Sequence, residues 1–481
     1  MQTFQNYIAG SWQPSVSGQV FKSINPANTS DCLGEFQSSL AADAEAAIDA
    51  AAAAFKTWQK TTIAQRAKIL NKAASYLEEN LVQFAEELTR EEGKLLSNSR
   101  QEFQRAADTF RFYATEAATF TGEVYPSDDP KTLVYSQRFP LGVVTVITPW
   151  NFPVSIPARK IAPALMMGNT VIFKPSSDTP LVALRITEAL AHAGIPSGVF
   201  NFITGAARDI GDTITRHPAI RAITFTGSTQ AGALIHSHAG IQTRTQMELG
   251  GKNPLIVLPD ADLDLAVDLT IKGGFSLTGQ ACTGTSRVLL TPQIKEPFIT
   301  KLLAAIKALK IGGGMDDETD IGPLANQAQL DNVLRYIEIG KKEGVHLIGG
   351  ERLTDHDKSA GYFVSPAVFK DVPRQALIAK EEIFGPVIAL IDVADYNDAI
   401  AVANASEYGL SAALVTQNIE YIQQFPADIE AGTVKVNRTT TGNLVNAPFG
   451  GIKMSSTSTY RESGRVGLEF FTQVKTIYIG R

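Results

Sequence analysis

A chain of 481 residues with 44% hydrophobic and 19% charged content exceeds what one hydrophobic core can serve, so a soluble globular protein of two or three domains is expected. Its formal charge is only −6, from 43 basic and 49 acidic residues without a long block of either sign, which argues against a nucleic-acid track or an anionic membrane surface. Two cysteines, Cys32 and Cys282, offer no disulfide framework, the N-terminus lacks the basic and apolar regions of a secretion signal, and apolar runs such as Leu141 to Ile147 are far too short to span a bilayer; a reducing, cytoplasmic setting is expected.

Residues 1–38 hold short strand-like pieces broken by Gly10, Pro14, Gly18 and Pro26. The alanine-rich run from Ala41 to Gln59 reads as a helix with acidic residues near its start. Apolar residues recurring at three and four predict two or three more helices between Ile63 and Ala118, which need no role beyond packing. Gly122 to Phe139 reads as two strands around a turn at Asp128 to Lys131. Short β-branched runs then alternate with helical segments: Gly142 to Thr148, Thr170 to Phe173, Val199 to Ile203 and Ala222 to Phe225 predict a parallel sheet with crossover helices. Ligands bind beyond the carboxyl ends of such strands, where Pro149 to Phe152, Lys174 to Ser177 and Gly227 to Thr229 fall. The alternation restarts at Pro254 and runs to about Lys435, with strands at Leu255 to Leu258, Ser286 to Leu290 and Val387 to Leu390. The apolar tail ends in a strand that is unlikely to stay unpaired.

The stretch from Phe225 to Arg287 concentrates the chemistry. It contains F-T-G-S-T, a glycine turn suited to a phosphate; M-E-L-G-G-K-N-P, with Glu248 before Gly250 and Gly251; and G-Q-A-C-T, with Cys282. A thiolate is the strongest neutral-pH nucleophile a side chain supplies, and its attack on an aldehyde carbon creates an oxyanion that needs donors in place. The Cys282 backbone N–H and the Asn151 amide are candidates, and Glu248 suits a general base for hydrolysing the resulting thioester because the glycine pair leaves room for solvent. Each has a plainer reading: buried cysteines are usually inert, an isolated glutamate is usually a surface charge, and Asn151 could cap a helix. A Cys-dependent hydrolase or acyl transferase is the alternative from another class, but none of the six histidines sits in a partner motif. His236 and His238 read as a solvated helix face, and no metal site is expected.

These segments, with T-P-W-N-F-P, E-E-I-F-G-P-V and P-F-G-G-I-K, occur in the order found in the NAD(P)-dependent aldehyde dehydrogenase superfamily, which the chain resembles from about Tyr7 to Ile479. The resemblance implies an α/β fold of two doubly wound parallel-sheet domains plus a small β oligomerisation arm. It divides the chain into a dinucleotide-binding domain (1–121 and 140–252), a catalytic domain (253–440) and an arm and tail (122–139 and 460–481). It implies Cys282, Glu248 and Asn151 as catalytic residues and a homodimer or homotetramer as the assembly. For the dinucleotide it implies Lys174 near the adenosine ribose, Gly227 and Ser228 near the pyrophosphate, and Trp150, Glu382 and Phe384 near the nicotinamide end, with Glu381 the neighbouring alternative to Glu382. Ser177 stands where NAD-preferring members often have a glutamate, so use of both NAD and NADP is expected, with NADP at least competitive. The G-x-G-x-x-G fingerprint is absent.

The substrate reading is a small polar aldehyde. Arg159 lies two helical turns after Asn151 and corresponds to an arginine that pairs with the distal carboxylate in semialdehyde dehydrogenases; a structural ion pair is the other reading. Phe152 and Ser276 are the other substrate-side candidates. Ser276 stands where succinate-semialdehyde dehydrogenases commonly carry a second arginine, and Ser276 with Thr278 suggests a hydroxylated pocket. The long S-S-T-S-T-Y-R-E stretch before Ser463 resembles the branch oxidising α-ketoglutarate semialdehyde (2,5-dioxovalerate), the first choice. A sugar-derived aldehyde such as 3,6-anhydro-L-galactose, or succinate semialdehyde, follows. Lys160 and Lys252 read as supports of local packing and field.

Overall fold

The computed structural model describes residues 1–480. The helix Ala41–Trp58 forms where expected. Its Asp43 carboxylate accepts the Leu40 N–H at 2.9 Å, and Ala44, Ala47, Ile48 and Ala51, spaced by three and four, pack under the first sheet against Ile172 and Ile223. Helices Ile63–Glu79, Leu81–Glu92 and Leu96–Glu116 fill the next stretch.

The first sheet has seven strands in the order Arg244–Glu248, Ile220–Thr226, Val143–Ile147, Thr170–Lys174, Phe200–Phe202, Asn6–Ile8 and Ser11–Gln13. The first five are parallel; four of them answer to the expected strands, and the edge strand Arg244–Glu248 is an addition. The last two run antiparallel, because a connection as tight as that between Ile8 and Ser11 cannot make a parallel crossover. The second sheet runs Val345–Ile348, Ala367–Lys370, Val387–Asp392, Thr285–Leu290, Asn253–Val257, Ser411–Val415 and Thr433–Val436, with only the first strand antiparallel.

The two sheets present opposite edges to the site. Asn151, Lys174, Gly227 and Glu248 lie at or just beyond the carboxyl ends of first-sheet strands, whereas Cys282 and Glu382 precede the amino ends of Thr285–Leu290 and Val387–Asp392. The hydroxyl-rich stretch after Met454 is not part of the lining of the cavity that holds Cys282. It runs beside the edge strand Arg244–Glu248, where the Leu249 N–H donates to the Ser455 carbonyl at 2.9 Å, Ser456 bridges Glu248, and Gln246 Nε2 donates to the Arg461 carbonyl at 3.0 Å. An open strand edge is thereby covered.

The arm is a three-stranded antiparallel sheet. Thr472–Gly480 pairs along its whole length with Thr132–Pro140, which also holds Val124–Tyr125. Its turn forms at Asp129, which accepts the Lys131 N–H at 3.0 Å and the Thr132 hydroxyl at 2.8 Å. Val124, Val474 and Tyr478 are exposed on it. Ending the chain at Phe471 strips Thr132–Pro140 of its longest partner, so such a variant should scatter light and aggregate at concentrations where the full chain stays clear. An equally clear solution would contradict this role for the tail.

Candidate active site

The loop bearing Asn151 is fastened from behind. Glu102, on the helix Leu96–Glu116, accepts the N–H groups of Val154 and Ser155 at 3.0 Å each, capping the helix Ser155–Met166. Its other oxygen lies 2.5 Å from Lys94 Nζ, which also donates to the Asn151 carbonyl at 2.7 Å. Both side chains are almost wholly buried. Asn151 is therefore not the helix cap. Its side-chain amide donates to the Gln280 carbonyl at 2.9 Å and retains a second N–H. Lys94 and Glu102 were invisible as site residues in the sequence because they belong to no motif and lie 57 and 49 positions before Asn151.

The Cys282 loop is built under strain. Leu277 and Thr278 both take left-handed backbone conformations, each costing about 1–3 kcal/mol, and Gly279 has no room for a Cβ beside the Gly385 carbonyl. Gln280 anchors the loop by accepting the Ala325 N–H at 2.9 Å, and Asn253 Nδ2 holds the Cys282 carbonyl at 2.9 Å. The Thr278 hydroxyl donates to the Gly322 carbonyl at 2.9 Å and is buried, so it does not add to a hydroxylated pocket as expected. Burial pushes the Cys282 thiol up to about 12, against Arg159 and the Thr283 N–H, with Glu382 and Glu248 adding to the rise.

Glu248 is only 2% exposed, and neither carboxylate oxygen has a hydrogen-bond partner among the described residues. Burial, then the nearby Glu462 carboxylate, hold it well above the ordinary carboxylate range despite Lys160, Arg159 and Arg461. The sequence reading of Gly250 and Gly251 needs correction. A Cβ at Gly251 would stand 2.6 Å from the Cys282 carbonyl, and one at Gly250 would stand 2.4 Å from Glu382 Oε2, so the pair admits the cysteine loop and Glu382. The glycine beside the Glu248 carboxylate is Gly450, where a Cβ would fall 2.6 Å from Oε1. Lys160 fits its reading as a support of packing and local field. It is fully buried, ion-paired to Glu462 and bonded to Thr224 Oγ1 at 2.9 Å. Glu462, 302 positions away, had no signal in the sequence beyond the R-E that ends the hydroxyl-rich stretch.

The dinucleotide candidates are compatible with such a ligand. Lys174 is buried at a strand end, bonded among the described residues only to the Pro175 carbonyl at 3.1 Å, and burial lowers its ammonium to about 8 although Asp178 opposes this. Gly227 donates its N–H to the Glu248 carbonyl at 3.1 Å, and exposed Ser228 caps the helix Thr229–His238, whose N-terminus suits a phosphate. Ser177 is exposed, with its hydroxyl 3.5 Å from the Gly205 carbonyl. Glu382 accepts the Gly251 N–H at 2.9 Å and is raised to about 7 by burial, although that N–H and Lys252 oppose the rise. Glu381 instead takes the Tyr336 hydroxyl, so the two neighbours face different partners. Trp150 and Phe384 stand edge to face with ring centroids 5.4 Å apart. Lys252 is buried, without a hydrogen-bond partner for its amine among the described residues, and burial and Arg287 lower that amine to about 7.

Cys282 opens into a cavity of about 560 Å³ whose wall includes Phe152, Arg159, Ser276 and Phe449. Arg159 shows the ion pair of its structural reading, with Nε 3.5 Å from Glu462 Oε2, and its guanidinium lies over the Phe449 ring, 5.0 Å from its centroid, on the wall of the cavity. The helix Leu96–Glu116, assigned only to packing from sequence, also lines the cavity through Gln101, Arg105 and Asp108. No group of acids, cysteines and histidines able to hold a metal occurs among the described residues, and no helix there is long and apolar enough to cross a membrane.

This arrangement agrees with the comparisons. Residues 12–477 match the model of the Aldehyde dehydrogenase family, and the chain belongs to that family. It is 44% identical over 479 residues to the alpha-ketoglutaric semialdehyde dehydrogenase of Bacillus subtilis, covering 99% of this chain and 98% of that one. With the 2,5-dioxopentanoate dehydrogenase of Saccharolobus solfataricus it shares 41% identity over 483 residues, covering both chains fully. Among solved structures, the betaine aldehyde dehydrogenase of Staphylococcus aureus in complex with NAD+ superposes with a TM-score of 0.96 at 34% identity, covering 99% of this chain and 95% of that one. A 3,6-anhydro-L-galactose dehydrogenase in complex with NADP gives the same score and identity over 100% of both chains. The protein is thus an NAD(P)-dependent oxidoreductase with the aldehyde dehydrogenase fold.

A thiol held that high by burial reacts slowly at neutral pH. In the protein without coenzyme, alkylation of Cys282 by iodoacetamide, located by peptide mass spectrometry, should rise about tenfold per pH unit from pH 7 to 9. A plateau below pH 8.5 would contradict the assigned burial.

Proposed function

We propose that the enzyme oxidises α-ketoglutarate semialdehyde to the dicarboxylate. The supporting observation is that Arg159, able to pair with a carboxylate, opens into the cavity that holds Cys282; two relatives carrying the corresponding activity in their names lend weight. Ser276 in place of a second arginine argues against succinate semialdehyde. A sugar aldehyde is the second reading, favoured by the similarity to the anhydrogalactose enzyme.

In this reading the Cys282 thiol loses its proton to solvent in the cavity as its sulfur bonds the aldehyde carbon, and the Cys282 N–H and the free Asn151 N–H hold the oxyanion. Bound NAD(P)+ supplies the hydride acceptor. Glu248, in its ionised form, then takes a proton from the water that cleaves the Cys282 thioester, releasing the acid and the thiolate. Lys174, Ser177, Gly227, Ser228, Trp150, Glu382 and Phe384 hold the coenzyme. The domain division at 121, 140, 252 and 440 is supported by the sheets, whose strands draw on 6–248 and 253–436. The exposed apolar face of the arm supports a dimer or tetramer, and free cysteines support a cytoplasmic setting.

A panel of α-ketoglutarate semialdehyde, succinate semialdehyde and a sugar aldehyde, read by nicotinamide absorbance, tests the substrate. The first should give the highest kcat/KM, and a higher value for the sugar would overturn the choice. With Ser177 lacking a charge, NADP should support turnover at least as well as NAD. Ser177→Glu should lower kcat/KM for NADP about tenfold or more relative to NAD by setting a carboxylate against the 2′-phosphate; an unaltered ratio would remove Ser177 from the coenzyme site.

A further inference from the structure

We propose that Arg105 is a second carboxylate-binding residue of the substrate cavity, acting with Arg159 on the end of the substrate remote from the aldehyde. This rests on the reading of the substrate as an acidic semialdehyde. Arg105 sits midway along the helix Leu96–Glu116 and lines the cavity that contains Cys282 and Arg159. No carboxylate is ion-paired to it among the described residues. Glu102, one turn back, is engaged by Lys94 and by the Val154 and Ser155 N–H groups, and Asp108 is an exposed acid one turn on, bonded by Gln104 Nε2 at 3.1 Å.

The bonds that Arg105 does make leave it free to act. Its Nη2 donates to the carbonyl and side-chain oxygen of Asn443, while Nε and Nη1 make no hydrogen bond to the described residues. The Asn443 loop does not depend on it alone, because Lys435 Nζ already binds the carbonyls of Thr440, Thr441 and Gly442. Burial and the Arg159 charge both lower the Arg105 guanidinium, although the Glu102 and Asp108 carboxylates oppose this, so two like charges share this wall. Among the described residues Glu462 is the only carboxylate paired with Arg159, and it serves Lys160 as well. A substrate carboxylate between the two guanidiniums relieves this repulsion and gains charge-assisted hydrogen bonds. A neutral aldehyde gains neither.

The test compares the parent, Arg105→Gln, Arg105→Lys and Asn443→Ala with α-ketoglutarate semialdehyde and with pentanal, an uncharged aldehyde of equal chain length. Arg105→Gln should raise KM for the acid and lower the acid-to-pentanal ratio of kcat/KM about tenfold to hundredfold, with kcat changing much less. Arg105→Lys should recover part of that ratio. Asn443→Ala, which removes the side-chain acceptor of Arg105 Nη2 but keeps the carbonyl it also binds, should lower the acid-to-pentanal ratio less than Arg105→Gln does. If Arg105→Gln shifts acid and pentanal equally, or shifts neither, while the parent prefers the acid, Arg105 has a structural role and the proposal falls alone. If the parent itself prefers pentanal, the substrate reading fails and this proposal with it.

Discussion

Two lysine–glutamate pairs taken out of water hold this site in shape. Removing a charge from water costs several kcal/mol, recovered only when partner and geometry are both in place. Lys94 and Glu102 meet that condition behind Asn151, fixing the loop by its carbonyl and the following helix by its first N–H groups. Lys160 and Glu462 meet it behind Glu248, with Thr224 completing the lysine's bonds. Between them stand the groups whose own charge is held back by burial: the Cys282 thiol and the Glu248 carboxyl. The unpaired groups are the ones with protons to exchange.

The backbone serves the same end. The Gly250–Gly251 pair lets the second sheet's loop bring Cys282 and Glu382 against the end of the first sheet's edge strand. Leu277 and Thr278, held in left-handed conformations, deliver the cysteine from below. The hydroxyl-rich stretch covers the Arg244–Glu248 edge, which keeps the Glu248 strand in place and closes an edge open to pairing with other chains.

Much of this was legible in the chain. Alternating β-branched runs and helices gave both sheets, and the apolar tail announced a strand that needed a partner, found at Thr132–Pro140. Short motifs brought Cys282, Asn151 and Arg159 to one region because each sits just outside a strand end or on the helix that follows it. The supporting residues were not legible. Lys94, Glu102, Arg105 and Glu462 reach the site across the fold, and their helix or loop neighbours carry only the periodicity of packing. Local pattern also misassigned purpose: Thr278 turned inward to Gly322, and the glycine pair made room for a carbonyl and a carboxylate rather than for solvent at Glu248.

The account centres on a covalent bond between Cys282 and the aldehyde carbon, resolved by Glu248. Rapid-quench mass spectrometry of Glu248→Gln with an aldehyde and NADP tests it most directly. The account predicts a burst of reduced nicotinamide equal to the enzyme present, together with a Cys282 peptide heavier by the acyl group. A burst without any adduct on Cys282, or a Cys282→Ser protein as fast as the parent, would contradict it.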